Sequence, residues 1–218
     1  MKKSISDYTN PFEAVDEFEK AIAEFVNPNP DKKSLGVIAT DSCTHAIELG
    51  LRFAMPKMYA TIPEQTYLSV PMTLEKLGIE YMYTEVEWDT EYRIEGSIVY
   101  DSARHFAPDM FELENPNQKK IVCVSFGHGK PLDIGHGGAI ITNSKEAYDW
   151  LKLAANDGRD RTITPWADQK EFNVGYHYHM RPEDAVIGLN KLANGEITDL
   201  GKKGYKNYPN LRNITINK

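Results

Sequence analysis

Apolar residues Phe12, Val15, Phe18, Ile22, Phe25 and Val26 recur at steps of three and four, which predicts an amphipathic helix. Asn10 stands where a cap belongs, with Pro11 at the first helical position and Glu13 in the first turn. The stretch NPNPDKK ends the pattern. Short apolar runs follow at 35–40 (LGVIAT), 58–62 (MYATI), 79–85 (IEYMYTE), 97–101 (SIVYD), 121–125 (IVCVS) and 138–142 (GAIIT). Helical patterns fall at 44–54, 65–77, 145–155 and 182–193. Strands alternating with helices predict an α/β domain whose mostly parallel sheet is flanked by helices. The runs are continuously apolar, as strands covered on both faces should be. Beyond Asn194 the chain turns polar and rich in Gly, Lys and Asn, so no core is expected there. The expected organisation is an α/β domain over 1–193 and a short tail over 194–218, with no internal repeat.

Composition narrows the class. A chain of 218 residues can bury one substantial core, and 41% hydrophobic residues exclude a disordered chain. A net charge of −7 argues against nucleic acid, because no basic stripe is available to neutralise phosphates. The cluster Lys202, Lys203 and Lys206 reads as a solvated end. Cys43 and Cys123 stand alone, without the spacing of a disulfide framework, which fits a reducing compartment. The basic N-terminus meets no apolar segment of a secretory signal, and no window has the length of a membrane span. A soluble, cytoplasmic protein is the expectation.

In open α/β sheets, ligands sit at the carboxyl ends of strands. After LGVIAT comes Asp41-Ser42-Cys43-Thr44-His45, which opens a helix. Small hydroxyl residues there either serve as a plain cap or help the helix N-terminus to hold a phosphate. The run SIVYD ends on Asp101, followed by Ser102-Ala103-Arg104. A carboxylate at a strand end is costly to bury without a partner. It is either a turn aspartate or the counter-charge for a cationic ligand. Five residues after Ser125, Lys130 lies in the glycine-rich SFGHGKPLDIGHGG. Such a lysine is either solvent-exposed or, with a lowered pKa, a nucleophilic amine.

The order of these segments resembles the DegT-type sugar aminotransferases, pyridoxal phosphate (PLP) enzymes of fold-type I that act on keto-sugars attached to nucleotides. Five segments carry the likeness: Ser42-Cys43-Thr44-His45-Ala46-Ile47, Gln65-Thr66-Tyr67-Leu68-Ser69, Asp101-Ser102-Ala103-Arg104, Ser125 through Gly138, and Gly175-Tyr176-His177-Tyr178-His179-Met180 with its following helix. The resemblance spans residues 12 to 192. It implies the large domain of a fold-type I enzyme, with the C-terminal small domain reduced to the residues after Ala193. It also implies that Lys130 holds the cofactor as a Schiff base and that Asp101 keeps the pyridine nitrogen protonated. Tyr67 would stack on the ring, and Ser42, Cys43, Thr44 and Ser125 would hold the phosphate. His177 takes the place of a family asparagine that reaches the phosphate of the neighbouring subunit, which implies a homodimer with a shared site. The implied reaction moves an amino group from a donor such as glutamate to a keto-sugar.

Departures from the family are also visible. Only VEWDTEYRIEG separates the third and fourth apolar runs, where the family has a further strand and helix. Arg104 replaces a glutamine, and is expected near the ring's phenolic oxygen; His177 replaces an asparagine and His179 an arginine. These changes leave the implied cofactor chemistry intact and bear on the sugar-nucleotide substrate. The reduced small domain leaves open a PLP-binding protein without transaminase activity, or a silent chain that pairs with a longer homologue. Lys130 itself argues against the family's dehydratase branch, where histidine stands in that place. The histidines suggest a metal site as a rival, but the sequence offers no carboxylate or cysteine at ligand spacing, so no metal is expected.

Overall fold

The computed structural model describes residues 2–29, 34–54, 59–115 and 117–216. The end of NPNPDKK (30–33) and Met58, expected to open the second strand, lie outside the described residues.

The helices are α1 (Glu13–Val26), α2 (Cys43–Ala54), α3 (Ser69–Leu77), α4 (Lys145–Ala154) and α5 (Pro182–Ala193). The strands are β1 (Gly36–Thr40), β2 (Tyr59–Pro63), β3 (Glu80–Thr84), β4 (Tyr92–Arg93), β5 (Val99–Asp101), β6 (Ile121–Ser125) and β7 (Gly138–Thr142). All six expected strands form, within one or two residues of their predicted ends. The α1 stripe predicted by periodicity is the buried one, through Val15, Phe18, Ile22 and Val26. Asn10 accepts a hydrogen bond from the Phe12 N–H at 3.1 Å, just ahead of the helix. Helix α3 begins at Ser69 rather than Gln65, because Gln65, Thr66 and Tyr67 are spent on the loop that reaches the site.

The class is α/β as expected, but the sheet is mixed. The order is β1-β7-β6-β5-β4, with β5–β6 parallel and the other three pairings antiparallel. A separate parallel pair, β2–β3, lies beside it. The link from β6 to β7 contains no helix, so the chain doubles back instead of crossing over. Strands β1, β5 and β6 still run in one direction, so their carboxyl ends meet at one edge.

Alternation along the strands divides the core. Ile38, Ile121, Cys123 and Ile140 pack beneath α2 and α4, while Val37, Ala39, Val122, Val124 and Ile141 pack with α1 and α5. Both faces are covered, which explains the continuous apolar runs.

One segment left unassigned forms a strand, and one expectation fails. The segment between β3 and β5 supplies β4, which pairs antiparallel with β5 through a turn at Ile94–Ser97 and bridges Glu95 to Thr61 of β2. The tail after Asn194, given no core from the sequence, buries Tyr205 and Leu211. Its backbone is held at both ends: Gly204 N–H donates to Asp89 O at 2.7 Å, and Leu211 N–H to Glu64 O at 2.8 Å. Polar composition hid three apolar residues, Tyr205, Tyr208 and Leu211, spaced three apart.

Candidate active site

At the shared edge of β1, β5 and β6 opens a cavity of about 420 Å³. Seven of the nine residues singled out from the sequence line it: Ser42, Cys43, Thr44, Tyr67, Asp101, Ser125 and Lys130. Arg104 and His177 do not.

One end of the cavity is the start of α2, whose first N–H groups have no intrahelical acceptor and carry the positive end of the helix dipole. Ser42 caps it, its Oγ accepting from His45 N–H at 3.2 Å. Thr44 donates its hydroxyl to Ser69 at 3.0 Å, which ties α2 to α3. Strand β7 reaches this end through Gly138, where a Cβ would lie 2.5 Å from Cys43 N and 2.7 Å from Ser42 C. Asp41 also lines the cavity here, its carboxylate drawn to His45 Nδ1 at 2.7 Å.

The floor is Asp101, at the end of β5 and almost wholly buried. Its hydrogen-bond donors are neutral: Ala103 N–H at 2.9 Å and the Tyr92 hydroxyl at 2.8 Å. Burial pushes the Asp101 carboxyl above the usual carboxylate range, against the pull of these bonds and of the Lys130 charge. Lys130 follows β6, its N–H donating to Gly127 O at 3.2 Å in the glycine-rich turn. Cys43 and Cys123 are buried, and burial, reinforced by Asp101, pushes both thiols well up, so neither serves as a thiolate. The walls are Tyr67, a residue 58% exposed at the mouth, and Tyr208 from the tail, with ring centroids 6.3 Å apart.

These surroundings fit PLP. A helix N-terminus with three hydroxyl residues suits a phosphate, a buried carboxylate with only neutral donors suits a cationic ring nitrogen, and Lys130 supplies an amine.

The other two residues sit elsewhere. Arg104 does not itself line the cavity but lies against Tyr208 of its wall; its guanidinium donates to Leu200 O at 3.4 Å, and its buried Nε has no partner. The sequence expected it at the ring oxygen; its partners here, Leu200 and Tyr208, both come from the tail that the sequence left without structure. His177 is exposed and bonded through Nδ1 to Asp157 at 2.9 Å. That contact corrects one reading: a carboxylate does join the two histidines, brought by the fold from twenty residues earlier.

Tyr92 and Tyr208 were missed. Tyr92 lies in the short segment VEWDTEYRIEG, and only the hairpin with β5 sets it opposite Asp101. Tyr208 carried one signal, its aromatic spacing in a polar tail.

An α/β domain with a cavity of this make-up belongs to the large-domain class of fold-type I enzymes. Residues 93–204 match the DegT/DnrJ/EryC1/StrS aminotransferase family, and the chain belongs to that family. Its fold is similar to that of AtS13 from Actinomadura melliaura (TM-score 0.63, 19% identity, 83% of this chain and 59% of that one). It is also similar to PseC of Helicobacter pylori, an aminotransferase involved in pseudoaminic acid biosynthesis (TM-score 0.60, 16% identity, 83% and 57%). A third likeness is to NtdA from Bacillus subtilis, solved with bound cofactor PMP (TM-score 0.59, 18% identity, 84% and 48%). The chain thus spans about half to three-fifths of the length of these relatives. No helix among the described residues is long and apolar enough to cross a membrane.

Proposed function

We propose that this chain binds PLP in the cavity at the ends of β1, β5 and β6 and acts as an aminotransferase. The amino group would pass from a donor such as glutamate to a keto-sugar carried on a nucleotide. One observation carries the reading: Asp101 ends β5, Lys130 follows the adjacent parallel strand β6, and both line the same cavity.

When bound, the cofactor supplies a ring that accepts electrons from the substrate carbon. Around it, the start of α2 with Ser42, Cys43, Thr44 and Ser125 holds the phosphate. Asp101 keeps a proton on the ring nitrogen, and Tyr92 fixes the carboxylate that does so. The Lys130 amine anchors the cofactor and moves the proton at the substrate carbon. Tyr67 and Tyr208 close the faces against water.

The reading includes a homodimer in which His177 serves the other chain's site. Its support is that His177 is exposed and turned away from the cavity of its own chain. A cytoplasmic setting is also part of it, supported by two free, buried cysteines.

Borohydride reduction with PLP, followed by peptide mass mapping, tests the reading. The cofactor mass is expected on the peptide holding Lys130; label elsewhere, or none, overturns it. Glutamate then separates an enzyme, whose visible absorbance it bleaches, from a binder that no amino acid alters.

A further inference from the structure

His177 and His179 lie two residues apart on an extended segment, so both rings project from one side of the backbone. Their centroids are 4.4 Å apart with the planes at 72°. A second segment crosses this one closely. Asn156 pairs with His177, Asp157 N–H donates to Tyr176 O at 3.0 Å, and Tyr178 N–H donates to Ala155 O at 3.1 Å. The crossing needs glycine on both sides: a Cβ on Gly158 or on Gly175 would run into the backbone of the opposite segment. Asp157 adopts a left-handed φ of 60°, with its Oδ2 2.9 Å from His177 Nδ1.

One donor atom from each of Asp157, His177 and His179 lies within 4.8 Å of the others. His179 Nδ1 is buried and has no hydrogen-bond partner, a condition that calls for an ion or a water. We propose that Asp157, His177 and His179 form a binding site for a divalent transition-metal ion, Zn²⁺ or its near relatives, outside the cofactor cavity. Two imidazoles and one carboxylate favour such ions over Mg²⁺ or Ca²⁺, which take all-oxygen sets. Three protein ligands leave one tetrahedral position open to water. Two cations, Arg159 and Arg161, line the adjoining pocket, and the charge of Arg161 is engaged by an ion pair with Asp16. An ion here would clamp the two crossing segments and fix the ring of His177. With metal on Nδ1, Nε2–H remains a donor, so the site is compatible with His177 reaching an anion outside its own chain.

The test is a Co²⁺ titration of tag-free, chelator-stripped full-length protein, read by visible absorption. One equivalent of Co²⁺ should give ligand-field bands without a thiolate charge-transfer band. Zn²⁺ should displace it and Mg²⁺ should not. His177→Ala and Asp157→Asn should each weaken binding by about tenfold or more; asparagine tolerates the left-handed backbone, so the second variant keeps the crossing intact. No stoichiometric uptake, a sulfur band, or binding unchanged in both variants would overturn the site.

Discussion

The hydroxyl of Tyr92 donates to Oδ2 of Asp101 at 2.8 Å, and the oxygen of that hydroxyl lies 2.5 Å from Thr66 Oγ1. Tyr92 comes from the short strand β4, Asp101 from the end of β5 and Thr66 from the loop before α3. The one acid at the cavity floor is thereby held by three elements.

Tyr92→Phe should therefore act on both stability and titration. It leaves Asp101 and Thr66 each short of a buried partner, a cost of about 1–3 kcal/mol. The lost bond had lowered the Asp101 pKa, so the variant's carboxyl should rise further. Because burial already holds it above its unfolded value, the folded state keeps its proton longer than the unfolded chain. Asp101's contribution to stability is complete below the unfolded pKa of about 3.9 and is lost as pH rises through the raised folded value. Urea midpoints of ligand-free protein across pH should show this fall extending to higher pH in Tyr92→Phe. Coincident profiles would uncouple the two residues.

Gly138→Ala tests the approach of β7 to the start of α2. The added methyl would meet backbone atoms of Ser42 and Cys43, which have no side-chain freedom with which to yield. Overpacking of this kind costs about 1–3 kcal/mol, and it should displace the N–H groups proposed to hold the phosphate. Chemical denaturation should show the loss of stability, and PLP affinity should fall with it. A stable variant with intact affinity would mean that the two elements separate freely.

How far the sequence carried the site depends on the range of each signal. Asp101, Ser125, Lys130 and the Ser42–Thr44 turn were legible because each ends a strand, and strand ends converge wherever strands run the same way. Tyr92 and Asp157 had no such local mark. Tyr92 meets Asp101 only once the hairpin closes, and Asp157 meets His177 only through two glycines in segments 20 residues apart. The partners of Arg104 were hidden for a related reason, since Leu200 and Tyr208 belong to a tail whose polar composition concealed its packing. The mixed sheet shows the same limit: the periodicity that marks a strand carries no direction.

The tail should separate stability from ligand binding. Tyr205 is buried in the core that includes Trp88 and Tyr92, so Tyr205→Ala should cost about 3–5 kcal/mol by analogy with other large aromatic truncations. Tyr208 faces the cavity, and burial, then the Asp101 charge, pushes its phenol up to about 12, so it stays a neutral donor at physiological pH. Tyr208→Phe should weaken cofactor binding with little change in the unfolding midpoint. Calorimetric titration alongside thermal unfolding checks both, and equal losses of stability would make Tyr208 a packing residue alone.

A shared site makes a sharper demand. His177 is exposed in its own chain, while Lys130 lines that chain's cavity. If His177 completes the phosphate contacts of the other chain, Lys130→Ala protein fails by losing the amine and His177→Ala protein fails by weak phosphate binding. A heterodimer of the two variants then holds one cavity with both residues present, since each chain supplies what the other lacks. Cofactor and dimer should also stabilise each other, because a ligand that binds only the dimer shifts the equilibrium towards it. Sedimentation should accordingly show ligand-free protein releasing monomer at higher concentration than the PLP-loaded form. Mixing the two variants should restore cofactor attachment at Lys130 to about half of the wild-type level per heterodimer. Attachment no greater than that of His177→Ala protein alone would place the whole site within one chain and leave His177 to its bond with Asp157.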